Sequence, residues 1–280
     1  SYTETEKGIT VKANGRTFVF SKKDGQLKDV SVNNRKISFA NGPRFIGARR
    51  ADRSLDQFYN HDDEKAKAKD RTYSEFTDAA VFTKLDVKEE GGNLILTANY
   101  KLGNLDKAQW TIHPDGMATL DYTYNFSGVV DLMGICFDYP EEQVLSKRWL
   151  GAGPYRVWQN RIHGTQYDIW ENDYNDPIPG ETFTYPEFKG YFGSVSWMSI
   201  RTKEGTISLT NETPDSYIGV YQPRDGRDWL LYTLPESGIS VLNVIPPVRN
   251  KVNSTDLCGP SSQPKWVDGP QTGRLVLRFE

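Results

Sequence analysis

Cysteine is nearly missing from this chain. Its 280 residues hold only Cys136 and Cys258, too few for a disulfide framework, and their pairing is not fixed by sequence. Histidine is almost as scarce. His61, His113 and His163 lie far apart, and no HxH, HExxH or CxxC spacing occurs, so no metal is expected. Each histidine reads as a polar surface or hydrogen-bonded residue. No GxGxxG or GxxxxGK[ST] run offers a phosphate cradle, so no nucleotide cofactor is expected either. A GxSxG elbow is lacking, and neither cysteine has a recognisable catalytic context. No apolar run nears the ~20 residues of a membrane helix, which argues against a membrane partner. Positive charge is not in excess: the net charge is -3, so nothing draws nucleic acid through long-range electrostatics. The opening Ser1-Tyr2-Thr3-Glu4-Thr5 has neither a basic nor an apolar signal region. A mature or excised segment would read the same, so the compartment stays open, leaning to periplasmic or secreted.

Helical periodicity is scarce as well. The Asp62–Lys69 run is the best candidate, and without an apolar stripe it reads as a solvated turn of helix or plain loop within a polar stretch from Asn41 to about Thr72. Strand patterns dominate instead. Arg16–Phe20, Leu27–Val32 and Ile37–Phe39 are punctuated by Asp24-Gly25 and Asn33-Asn34, residues that reach positive φ easily. Further strands are expected at Ala80–Phe82, Asn93–Tyr100, Ala108–Ile112, Ala118–Tyr124 and Leu132–Phe137. Val195–Arg201, Thr206–Thr210, Trp229–Thr233, Ile239–Ile245 and Arg274–Phe279 continue the series. Tyr167–Pro186 reads as a long loop. With no repeat and no Gly/Ser linker, residues 1–280 form one all-β, antiparallel domain of two large stacked sheets.

The richest stretch runs from Trp149 to Arg161. Gly151, Gly153 and Pro154 imply a tight turn carrying Trp149, Tyr155 and Trp158 with Arg156 and Arg161. Aromatic faces cover the C–H side of a pyranose and an arginine fork binds neighbouring hydroxyls, so such a turn suits a sugar. The plainer reading buries the same aromatics at the edge of a core. Arg161 is expected to be structural, bonding backbone carbonyls, with its loss costing about 3 kcal/mol. Trp266, in a Pro- and Gly-containing stretch from Asn250 to Pro270, is expected to project from the scaffold. It then either caps the sandwich or forms a sugar platform with Trp149, Tyr155 or Trp158. Asp168, Glu171, Asp173 and Asp176 form an acidic cluster without EF-hand spacing, read as a solvated loop. Paired carboxylates for glycoside cleavage stay open, since sequence does not measure their separation. Three Asn-X-Ser/Thr sequons begin at Asn125, Asn211 and Asn253.

These residues resemble the C-terminal small-chain domain of family 2 β-galactosidases, a galactose-mutarotase-like β-supersandwich. The central turn is similar to that family's G-P-x-E-N-Y-x-D-R motif. Gly153, Pro154 and Arg161 stand at matching ends, Trp158 replaces Tyr, Arg156 replaces Glu and Asn160 replaces Asp. Gly42-Pro43-Arg44 with Arg50-Ala51-Asp52 resembles W-R-A-P-T-D-N-D, and Tyr185–Gly190 with Val195-Ser196-Trp197 resembles P-Q-E-x-G and V-R-W. Cys258–Trp266 is similar to the G-x-G-G-x-D-S-W loop, whose Trp reaches the neighbouring barrel's active site.

The resemblance implies a carbohydrate-facing, non-catalytic C-terminal part of a larger glycoside hydrolase. Its partners would be a saccharide, in particular a galactoside, and the catalytic barrel of the parent chain. The sugar-binding candidates among these residues are Trp266, Trp158, Tyr155, Trp149 and Arg156. A stand-alone carbohydrate-binding module is the first alternative. A mutarotase- or lyase-like enzyme is the second, with His163 and Glu187 as acid and base.

Overall fold

The computed structural model describes residues 1–50, 73–76, 78–173, 190–220, 235–247 and 259–280. Among these there is no α-helix. The chain opens with β1 (Tyr2–Glu4), β2 (Gly8–Ala13), β3 (Arg16–Ser21), β4 (Leu27–Val32), β5 (Arg35–Ile37) and β6 (Ala40–Arg50). After β7 (Tyr73–Glu75) comes a meander of β8 (Val81–Glu90), β9 (Asn93–Lys101), β10 (Leu105–Ile112) and β11 (Ala118–Asn125). Next are β12 (Gly128–Val130), β13 (Leu132–Asp138), β14 (Val144–Gly153) and β15 (Gln166–Asp173). The rest are β16 (Phe192–Gly193), β17 (Trp197–Thr202), β18 (Thr206–Asn211), β19 (Tyr217–Gly219), β20 (Ile239–Val244), β21 (Lys265–Val267) and β22 (Pro270–Phe279).

Two large sheets result. The first runs β1-β2-β3-β4-β6-β13-β20-β19-β16, with β5 and β7 attached at its side, and the second runs β15-β14-β17-β18-β22-β11-β10-β9-β8. β12 and β21 pair separately. Every ladder between these strands is antiparallel. The expected turns form for the expected reason: Asn33, Asn34 and Gly25 take φ of 49°, 65° and 71°.

Alternation explains what lies between the sheets. Phe18 and Phe20 of β3, Trp110 of β10 and Phe137 of β13 all point inward and are buried. Trp110 meets Phe20 and Phe137 edge-on at 5.8 and 6.0 Å between centroids. Burying each such ring is worth about 1.5–3 kcal/mol. β13 departs from alternation because the first sheet is covered on both faces. Met133, Ile135 and Phe137 face the main core, whereas Leu132 and Cys136 join Ile46, Ala48, Val157, Trp158, Tyr191, Leu242 and Ile245 in a second cluster. Val157 and Trp158 of the central turn therefore help cover the first sheet.

Several expectations change. The polar stretch from Asn41 begins as a strand, because Phe45 packs into the main core while Ile46 and Ala48 fill the second cluster. The polar side chain of Arg44 is accommodated by an ion pair to Asp138 at 2.7 Å. The loop expected from Tyr167 is a strand up to Asp173, in register with β14 from Gln166↔Gly153 to Asp173↔Ser146. As a sheet edge it keeps Asp168, Glu171 and Asp173 in water while Trp170 packs against the core. Trp149 to Gly153 belongs to β14, so the central turn proper starts at Pro154. Asp62–Lys69 and Trp229–Thr233 lie outside the described residues.

Candidate functional site

The central turn is locked onto its neighbours by its backbone. Val157 and Tyr191 exchange N–H···O bonds of 2.8 and 2.9 Å, and Arg161 N–H donates to the Trp158 carbonyl at 2.8 Å. Trp158 is buried and meets Tyr191 edge-on. Trp149 is also fully buried, edge-on to Phe192 at 4.9 Å, and its indole N–H donates to the Ala152 carbonyl at 2.9 Å. Arg156 is buried too, its guanidinium 5.8 Å from the Phe192 centroid, with the Lys147 ammonium 5.9 Å from the same ring. Trp149, Trp158 and Arg156 thus pack inward. Tyr155, 49% exposed, is the aromatic of this turn that water reaches.

Arg161 differs from expectation. Its side chain is exposed, and the turn is closed by its backbone N–H and carbonyl rather than its guanidinium.

A second segment meets this turn. The buried Gln159 amide donates from Nε2 to the carbonyls of Ser261 at 2.8 Å and Gln263 at 2.7 Å. Its own backbone N–H donates to the Pro246 carbonyl at 3.0 Å. From Gln263 the chain enters β21, where Trp266 stands opposite Val129 of β12. Beyond it, Ser127 Oγ donates to Asp268 Oδ1 at 2.6 Å. Trp266 is 72% exposed. The cap reading therefore does not hold for its ring, which projects from the scaffold. No sequence motif singles out Gln159, because its side-chain partners are backbone carbonyls distant along the chain.

The other candidates are dispersed. His163 is exposed, and Glu187, its companion in the enzyme reading, lies outside the described residues, as do His61 and Asp176. His113 shares a hydrogen bond with Thr119 Oγ at 2.9 Å. Among the described residues no three His, Cys, Asp or Glu side chains converge as a metal site would require, and no helix is long and apolar enough to cross a membrane. Cys136 is buried, its thiol 3.7 Å from Arg44 Nη2. Burial pushes that thiol up to about 11, against the opposing pull of the guanidinium. Cys258 lies outside the described residues.

The architecture and the central turn together agree with what family comparison finds. Residues 12–241 match the family described as "Beta galactosidase small chain". The chain belongs to the β-galactosidase small-chain family. The matched span includes the whole central turn and ends before the segment that carries Trp266. A search of curated proteins by sequence found no relative. Among solved structures, galactose 1-epimerase from Lactobacillus acidophilus NCFM aligns at 9% identity, TM-score 0.48, covering 100% of this chain and 98% of that one. An aldose epimerase homologue from C. elegans aligns at 9% identity, TM-score 0.44, over 100% of this chain and 99% of that one. The α-N-acetylgalactosaminidase NagBb from Bifidobacterium bifidum aligns at 11% identity and TM-score 0.45; 97% of this chain is covered, but it spans 36% of NagBb.

Proposed function

We propose that this chain is a saccharide-facing, non-catalytic module of a β-galactosidase-type glycoside hydrolase. In this reading it is one domain that works beside a separate catalytic barrel. Family membership supports the class of enzyme, and one observation carries the role. Trp266 is 72% exposed on a short arm that Gln159 ties to the central turn, where Tyr155 is exposed as well. Leaving a large indole in water forgoes about 1.5–3 kcal/mol of burial, which a surface ring recovers when a sugar or partner covers it. A pyranose of the galactose type fits an indole face, its C–H side on the ring and its hydroxyls outward. The acidic positions of the family's turn are held here by Arg156 and Asn160, so the turn offers no carboxylate for acid–base chemistry.

Two measurements test the reading. Isothermal titration with lactose and methyl β-galactoside should give saturable binding that Trp266→Ala weakens. The same protein should show no turnover of aryl galactosides. Turnover removed by a single carboxylate substitution within residues 1–280 would overturn the non-catalytic role.

A further inference from the structure

We propose that Gln159 is the positioning residue of this composite surface, setting where the Trp266 arm stands relative to the central turn. The inference rests on the saccharide-facing reading for its function, though its geometry stands apart from it. The arm belongs to neither large sheet: β21 pairs with β12 alone, over Gly128↔Val267, Val129↔Trp266 and Val130↔Lys265. A two-stranded ladder of that length is marginal by itself. Val130 and Val267 seat it on the main core, Ser127 and Asp268 hold its far end, and Gln159 holds its near end. Both amide hydrogens of Gln159 are spent on carbonyls two residues apart in the arm, around the short 3₁₀ turn Pro260–Ser262. A single neutral side chain with two donors on one nitrogen is needed to satisfy both, which a carboxylate or an aliphatic residue of equal size does not supply. The same residue's N–H binds Pro246, just past β20, so Gln159 joins the turn, the end of the first sheet and the arm. Tyr155 and Trp266 are thereby carried on segments joined through this buried amide.

The test compares Gln159→Met, which keeps the length and removes both donors, with Gln159→Glu. The latter faces both carbonyls with a carboxylate at neutral pH and regains one donor when protonated. 5-Fluorotryptophan labelling gives a ¹⁹F signal for Trp266, assigned through its loss in Trp266→Phe, and hydrogen exchange reads the arm separately from the sheets. Expected for Gln159→Met are a shifted or broadened Trp266 signal and exchange across 259–267 faster by about five- to tenfold, with the large sheets unchanged. Gln159→Glu should behave likewise at pH 7 and recover part of the native signal near pH 4, a response a purely steric role would not produce. An unmoved Trp266 signal, or exchange accelerated equally throughout the protein, would overturn the proposal. A loosened arm with weakened lactose binding supports both readings. A loosened arm with lactose binding unchanged leaves the positioning intact and defeats the saccharide-facing reading alone.

Discussion

The indole of Trp158 meets the ring of Tyr191 edge-on, with centroids 5.5 Å apart and planes at 80°. The pair closes the cluster of Ile46, Leu132, Leu242 and Ile245 on the outer face of the first sheet. Trp158→Ala would leave a cavity there and should cost about 3–5 kcal/mol. Urea denaturation followed by circular dichroism measures it. A cost under about 1 kcal/mol would mean that Trp158 is not a packing residue.

Arg161 acts through its main chain. Its exposed guanidinium predicts that Arg161→Ala changes stability by no more than about 0.5 kcal/mol. Arg161→Pro removes the N–H that bonds to Trp158 and should cost about 1–3 kcal/mol. Thermal unfolding of the two variants decides the matter; equal losses would return the role to the side chain.

Cys136 predicts lability in alkali. Unfolded, its thiol ionises near about 8.5. In the fold, burial holds the proton on up to about 11, although Arg44 favours the thiolate. Between those values the unfolded chain binds fewer protons, so this residue's effect on stability is nil below the unfolded value and increasingly unfavourable above it. Cys136→Ala should therefore flatten the decline in stability from pH 8.5 upward and leave the neutral range parallel. Denaturation midpoints taken between pH 7 and 10.5 test this, and an unchanged alkaline slope would exclude it.

Much of the fold was legible because antiparallel strands declare themselves by alternation and by turn residues. Asn93–Tyr100 and Ala118–Tyr124 are plain cases, bounded by Gly91-Gly92 and Pro114-Asp115-Gly116. β6 was hidden because a strand covered on both faces does not alternate, and Arg44 and Arg50 gave it a polar cast. β15 was hidden because a sheet edge tolerates Asp168, Glu171 and Asp173 as readily as a loop does. For the site, sequence named the aromatics without saying which way they face. Exposure separated Tyr155 and Trp266 from Trp149 and Trp158, since orientation depends on registers such as Trp149↔Trp170 that only the folded sheet sets. Gln159 stayed unseen because its partners are backbone carbonyls about a hundred residues away, which leave no sequence pattern.

Trp266 bears the central claim. At 72% exposure its ring contributes little to stability, so Trp266→Ala should unfold within about 0.5 kcal/mol of the parent protein. Its loss should weaken lactose binding about tenfold, the equivalent of roughly 1.4 kcal/mol of stacking and buried area. Titrating parent and variant with lactose by calorimetry, alongside their melting temperatures, reads both quantities at once. Unchanged stability with tenfold weaker binding is the predicted result; equal lactose affinity in the two proteins would contradict a saccharide-facing role for this surface.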